Sequence, residues 1–339
     1  MHIRQDPFKP PVGLRNPHTQ SLLGSSRLRS LLVARRVGDL VEYEQEWIMD
    51  GGNRVRLLGH YSARPENKAG LAVLLHGWEG SSRSNYILAT GARLFNAGFN
   101  VFRLNFRDHG DSHYLNPGVF HSCRLDEVIG ALGDMQGRIG VSNWAIAGFS
   151  LGGNFALRVA LHGPAKGLAV SRCVAVCPVL DPAHVLQSME DGPSFYENYY
   201  DRKWARSLQK KEACFPDRYD YEEWHALPDL RARTRYLATR YYGYETLEDY
   251  FEGYSIAGNR LAALAVPSSI LTAADDLVVP VKDVESLPDN PCLEIQVTRH
   301  GGHCGYLKNW KLESWAEGYI VDRFLNRHDC VETLKEQTA

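Results

Sequence analysis

The sequence predicts an α/β fold: a mostly parallel central sheet flanked by helices, with a helical cap inserted into it. Three observations carry the prediction. From residue 71 onward, short apolar strand patterns alternate with amphipathic helical patterns, as a parallel sheet covered on both faces requires. Over residues 182–262 that rhythm stops, and no strand pattern appears. Between them, WAIAGFSLGGNFALRVA (144–160) reads as an apolar strand, a sharp turn carrying Ser150, and a helix.

Taken in order, residues 1–40 read as irregular with one short helix, capped by Asn16 and opened by Pro17. EYEQEWI and RVRLLGHYS read as two antiparallel strands joined by Asp50-Gly51-Gly52-Asn53, a hairpin turn signal. LAVLLH is a strand, followed by the helix NYILATGARLFNAG, which Gly98 ends. NVFRLNF is a strand and CRLDEVIGALGDMQGRIG a helix; WAIAGF and RCVAVCPV are the next strands. Residues 182–262, rich in Tyr, Trp, Arg and Glu, read as helices. A lid over a binding pocket is one reading of them; a surface subdomain with its own aromatic core is the other, and the two are compatible. Strands PSSILTA and CLEIQV follow, then a closing helix around NWKLESWAEGYIVDRFLN. The chain thus divides into a core of residues 1–181 and 263–339, with 1–40 as an N-terminal extension, and a cap of residues 182–262.

Composition narrows the function. A net charge of −2 over 339 residues makes no electrostatic case for nucleic acid or an anionic membrane. No apolar run reaches the length of a bilayer span, and the N-terminus lacks the apolar core of a signal peptide. Seven scattered cysteines, odd in number and without metal-motif spacing, favour a reducing cytoplasm over a disulfide framework. There is no G-x-G-x-x-G or Walker loop, so no nucleotide cofactor is expected, nor any other cofactor. Oligomeric state is left open.

The turn Gly148-Phe149-Ser150-Leu151-Gly152 is a G-x-S-x-G elbow. Small residues at Gly148 and Gly152 let strand and helix approach, so that the Ser150 hydroxyl projects above the sheet at a helix N-terminus. The plainer reading of Ser150 is a helix N-cap. Two downstream segments argue against it. AADDLVVP follows a strand and supplies Asp275 and Asp276, and HGGHCGY follows the next strand and supplies His303. Serine, acid and histidine in that chain order are the triad order of the α/β-hydrolase fold. Here His303 would take the serine proton as general base, and the acid would hold its tautomer. His300 and His76 are rivals; Gly301-Gly302 favour His303, and His76 is better placed to orient the loop LHGWEGSS. The N–H groups of Leu151 and Trp78 are the expected donors to a tetrahedral oxyanion. Asp108, His109, Asp111 and His113 also admit a metal-binding reading. It gives way to a turn with Gly110 at positive φ, and no metal is expected.

GFSLGGN, LHGWEGSS, FRLNFRDHGDS and the N-terminal NPHTQ together resemble the YheT-like α/β hydrolases, also grouped as the AB-hydrolase 4 family. The resemblance spans nearly the whole chain, from Phe8 to the last helix. It implies a serine hydrolase of carboxylic esters, acting on short or medium acyl esters or acylglycerol-like lipids through an acyl-enzyme. Ser150 is then the nucleophile and His303 the base. Related hydrolases often read acid-x-apolar-apolar-Pro at the acid; Asp276 to Pro280 fits, and Asp275 is one residue too far. The Trp78 indole would narrow the acyl side. Acyl transfer by the same triad, and a non-catalytic binding protein on this fold, are the alternatives. NPHTQ has no reading beyond helix capping.

Overall fold

The computed structural model describes residues 2–4, 8–64, 66 and 69–326. In chain order they form β1 (His2–Arg4), α1 (Pro17–Gly24), α2 (Arg27–Ala34), α3 (Gly38–Glu42), β2 (Glu44–Asp50), β3 (Arg56–Ser62) and β4 (Gly70–Leu75). Then come α4 (Asn85–Asn96), β5 (Phe99–Leu104), α5 (Leu125–Ile139), β6 (Trp144–Phe149), α6 (Leu151–His162) and β7 (Val170–Val176). Five helices follow without a strand: α7 (Pro182–Asp191), α8 (Ser194–Cys214), α9 (Glu222–His225), α10 (Leu230–Arg240) and α11 (Leu247–Glu252). The chain returns to the sheet with β8 (Ser268–Ala273) and β9 (Leu293–Thr298), and α12 (Trp315–Leu325) closes it.

The strands make one nine-stranded sheet in the order β1-β9-β8-β7-β6-β4-β5-β3-β2. From β1 to β5 every pairing is parallel, and β3 and β2 complete the far edge as the antiparallel hairpin expected at 41–62, here spanning 44–62. Central strands read as continuous apolar runs because both faces are covered. On β4, Leu71, Val73 and Leu75 enter one core layer while Ala72 and Leu74 enter the other, the period of two that a strand imposes.

The first forty residues carry more structure than one helix. Asn16 does cap α1, its side chain accepting from His18 and Thr19 N–H. Two further helices follow, α2 being capped by Ser26, and β1 adds a parallel edge strand. These elements are short, and β1 counts as a strand only through pairing with β9, so local periodicity could not announce them. The closing helix is also shorter than expected: residues 309–314 form a turn held by the Asn309 side chain, and α12 begins at Trp315. Trp204, Trp224 and Leu237 of the five-helix segment belong to the same buried cluster as Leu71 and Phe155 of the sheet layer, so its aromatics extend the main core. Among the described residues no helix is long and apolar enough to cross a membrane.

Candidate active site

The sheet topology brings the site together. The C-terminal ends of β4, β6, β7, β8 and β9 lie along one edge, and the loops leaving them carry His76, Ser150, Cys177, Asp276 and His303. Ser150 sits at φ 53°, ψ −120°, a conformation an L-residue holds only when its surroundings enforce it. They do so by contact. A Cβ on Gly148 would lie 2.0 Å from the Gly152 carbonyl oxygen, and one on Gly152 would lie 2.4 Å from the carbonyl oxygens of both Leu75 and His76. No side chain fits at either position, so the glycines are what allow α6 to start directly on the end of β6.

The Ser150 side chain caps no N–H of α6. Its Oγ lies 3.0 Å from His303 Nε2, and His303 Nδ1 lies 2.9 Å from Asp276 Oδ2. Asp276 also accepts from the N–H groups of Val278 and Val279, so its carboxylate is fixed before it meets the imidazole. Burial opposes the imidazolium, but the Asp276 carboxylate and then the Cys304 sulfur favour it. The balance holds His303 well above the ordinary histidine range. Asp275 points elsewhere: it accepts from Gly302 N–H and faces His300, tying down the loop that carries His303. Thus Asp276 and His303 are the acid and histidine that stand at Ser150; Asp275 and His300 are not.

His76 and His109 fix the loop after β4. Phe106 N–H donates to His76 Nε2, which puts the proton on Nδ1, facing the Gly77 carbonyl at 2.8 Å. Glu79 N–H donates to His109 Nε2, whose Nδ1 faces the Arg107 carbonyl at 2.7 Å. Burial pushes both rings down, His109 to about 4, so both are neutral as these bonds require. Between the two anchors stands Trp78. Among the described residues, neither the Trp78 nor the Leu151 N–H has a backbone hydrogen-bond acceptor.

The four residues open to a metal-binding reading go to separate partners. Asp108 pairs with Lys211 and accepts from Phe120 N–H, and His109 serves the loop just described. His113 meets Ser207, and the exposed Asp111 faces Lys210. Gly110 takes positive φ as expected, and Asp108 does so too.

Three contributions escape sequence reasoning. Ser21 on α1 accepts from His303 N–H through its hydroxyl oxygen, and Gln20 bonds both the N–H and the carbonyl of Leu307. The NPHTQ segment therefore starts a helix that braces the histidine loop from behind. A Cβ on Gly302 would lie 2.6 Å from the Pro17 carbonyl oxygen, so the fit is close. The second is Lys211 of α8, only 1% exposed, whose Nζ reaches Asp108 and the carbonyls of His113, Asn116 and Gly118. The third is Lys203, whose Nζ reaches the Glu79 carbonyl at 2.9 Å. A lysine in a polar helix carries no signal that it is buried.

Two cavities meet at Ser150, and Trp78, Tyr200 and Val278 line both. One, of about 110 Å³, runs beneath α7 and α11 between Leu151, Leu186, Met189 and Phe251. The other is an open cleft of about 720 Å³ flanked by Tyr86, Tyr199, Arg202 and Arg206, into which His303 and Cys304 face. Trp78 stacks on Tyr200 at 5.4 Å and meets Trp204 edge-on at 5.0 Å, so its indole forms the partition.

An open parallel sheet with a serine elbow and a histidine–carboxylate pair at its carboxyl edge defines a class, and comparison with known proteins agrees. The chain belongs to the alpha/beta hydrolase fold family, whose model matches residues 72–309. Within it the chain is a YheT-like member: it is 27% identical to the candidate esterase YheT of Escherichia coli (strain K12), over 93% of this chain and 92% of that protein. It is 23% identical to phospholipase ABHD3 of Bos taurus, over 89% of this chain and 75% of that one. Among solved structures, the Pyrococcus furiosus esterase Pf2001 superposes with a TM-score of 0.56 at 14% identity, covering 86% of this chain and 94% of that chain. That likeness is one of fold.

Proposed function

We propose that the protein hydrolyses carboxylic esters through an acyl-enzyme on Ser150. The observation that carries this is the unbroken hydrogen-bonded line Ser150 Oγ–His303 Nε2, His303 Nδ1–Asp276 Oδ2. His303 removes the hydroxyl proton as Oγ attacks the ester carbonyl, then returns it to the departing alkoxide. Water, deprotonated by the same imidazole, then cleaves the acyl-enzyme. Asp276 holds the productive tautomer and offsets the imidazolium charge. The N–H groups of Leu151 and Trp78 receive the oxyanion; one such donor is typically worth about 3–4 kcal/mol of the barrier. The small apolar cavity suits the acyl chain and the wide cleft the alcohol portion, which favours short or medium acyl groups. The helices α7–α11 act as the cap that keeps the acyl side dry.

Labelling with a fluorophosphonate, peptide mapping, and a p-nitrophenyl ester series of rising chain length test the proposal together. Label on Ser150 is expected, with turnover falling as the acyl chain outgrows the small cavity. Ser150→Ala should lose label and lower kcat by about 10⁶-fold. Undiminished turnover in that variant would remove Ser150 from the mechanism. Label without hydrolysis would redirect the assignment to acyl transfer.

A further inference from the structure

We propose that Cys177, Cys304 and His303 form a binding site for a zinc-class divalent cation, and that the bound ion switches the enzyme off by occupying His303 Nε2. The inhibitory consequence rests on His303 being the general base; the binding does not.

The two thiols lie 127 positions apart in sequence, on the loops after β7 and β9. Both are at positive φ, 45° and 59°, and both turn toward the same histidine. The two Sγ atoms and a ring nitrogen of His303 all lie within 4.8 Å of one another, with Cys304 Sγ 4.0 Å from Nε2. Zinc binds thiolate at about 2.3 Å and imidazole at about 2.0–2.1 Å, so the edges of a tetrahedral site are about 3.5–3.8 Å. Cys304 and His303 need to close by only a few tenths of an ångström. The fourth position faces Ser150 Oγ, 3.0 Å from Nε2, or water from the cleft.

The rest of the environment agrees with the assignment. Asp276 holds Nδ1, which leaves Nε2 as the ligand atom and builds the carboxylate–histidine–metal relay seen around zinc. Two sulfurs and an imidazole favour a borderline-soft ion over magnesium or calcium. Binding displaces the Cys304 thiol proton, and any proton on His303 Nε2, to solvent as the metal bonds form. Cys177 joins by releasing its proton to solvent as the metal–sulfur bond forms. Its present contacts, Gly302 carbonyl at 3.8 Å and Tyr306 hydroxyl at 3.6 Å, are weak. His303 and Cys304 line the cleft, which supplies the entry path. Among the described residues one other trio comes as close, Glu44, Glu46 and His60, and there Arg103 and Arg83 already hold the Glu44 carboxylate.

Cobalt(II) reports thiolate ligation by near-ultraviolet charge-transfer absorption, independently of ester turnover. Titrating the full-length protein should give that band, and zinc should displace it while inhibiting hydrolysis. Even an outer-shell partner of a metal is worth about 10–100-fold in affinity, so Cys304→Ser should weaken cobalt binding and zinc inhibition by at least about 10-fold. A saturated wild-type protein without the band would overturn the site. So would a Cys304→Ser protein that melts like wild type and keeps the same band and affinity. Should that variant not fold, alkylation of wild-type Cys304, mapped by mass, must be blocked by zinc; unprotected alkylation sinks the proposal. A cobalt band in protein that turns over no ester would support the metal site and overturn the hydrolase reading instead.

Discussion

The two walls around Ser150 are fastened by different means. On the sheet side the fastening is backbone. Gly148 and Gly152 are in contact with neighbouring carbonyls, Asp276 is held by two N–H groups, and His76 and His109 each bridge two backbone groups. On the helical side it is side chain. Lys203 and Lys211 reach across to carbonyls of the core, and Tyr200 and Trp204 pack on Trp78. A backbone-built wall leaves no freedom at the reacting atoms, whereas a side-chain-built wall can be recut one substitution at a time. On the proposed mechanism, chemistry and selectivity are thereby separated into two halves of one site.

That contrast can be broken at several points. Asp276→Asn should cut the deepest, lowering kcat by up to about 10⁴-fold because the imidazole is then held in the wrong tautomer. Asp275→Asn should cost far less in the same assay, since Asp275 touches the loop and not the ring; a reversed ranking would reassign the acid. On the other wall, Lys211→Met leaves Asp108 buried without its cation. Chemical denaturation should show a loss of about 3–5 kcal/mol. An unchanged midpoint would mean the helices need no such tether.

Trp78→Ala opens the partition between the cavities and keeps the backbone N–H. Longer p-nitrophenyl esters should gain relative to short ones by about 10-fold per methylene newly accommodated, read as kcat/KM. An unchanged chain-length profile would show that the indole is not the wall that matters. The smallest effect concerns pH. A base must be unprotonated, so activity is lost as pH falls through the His303 pKa. Cys304 is one of the groups raising that value, so Cys304→Ala should move the acidic limb of kcat/KM toward lower pH. The expected displacement is up to about one unit, or about 1.4 kcal/mol. A fixed limb would deny the sulfur any charge effect.

Legibility followed the range over which a signal acts. Strands β4 to β9 could be read because burial on both faces leaves apolar runs, and the elbow because its glycines are demanded within five residues. The choice of Asp276 needed a pattern from related hydrolases; the residues alone left two neighbouring carboxyls open. Ser21 and Gln20 were illegible as a brace because their partners stand 282 and 287 positions away. Lys211 carries no sign of its burial in the sequence, because it stands in a helix of low hydropathy. The pairing of Cys177 with Cys304 follows from which strands are neighbours in the sheet, and no spacing rule contains that.

The brace by Ser21 has a consequence in time. The loop bearing His303 is seated against a helix made before Ser150, and that loop leaves the ribosome long after Ser150 does. Throughout that interval the elbow serine is an ordinary alcohol. On the proposed mechanism the hydroxyl is armed only when the loop bearing His303 closes onto α1, so a molecule interrupted before that loop carries a disarmed one.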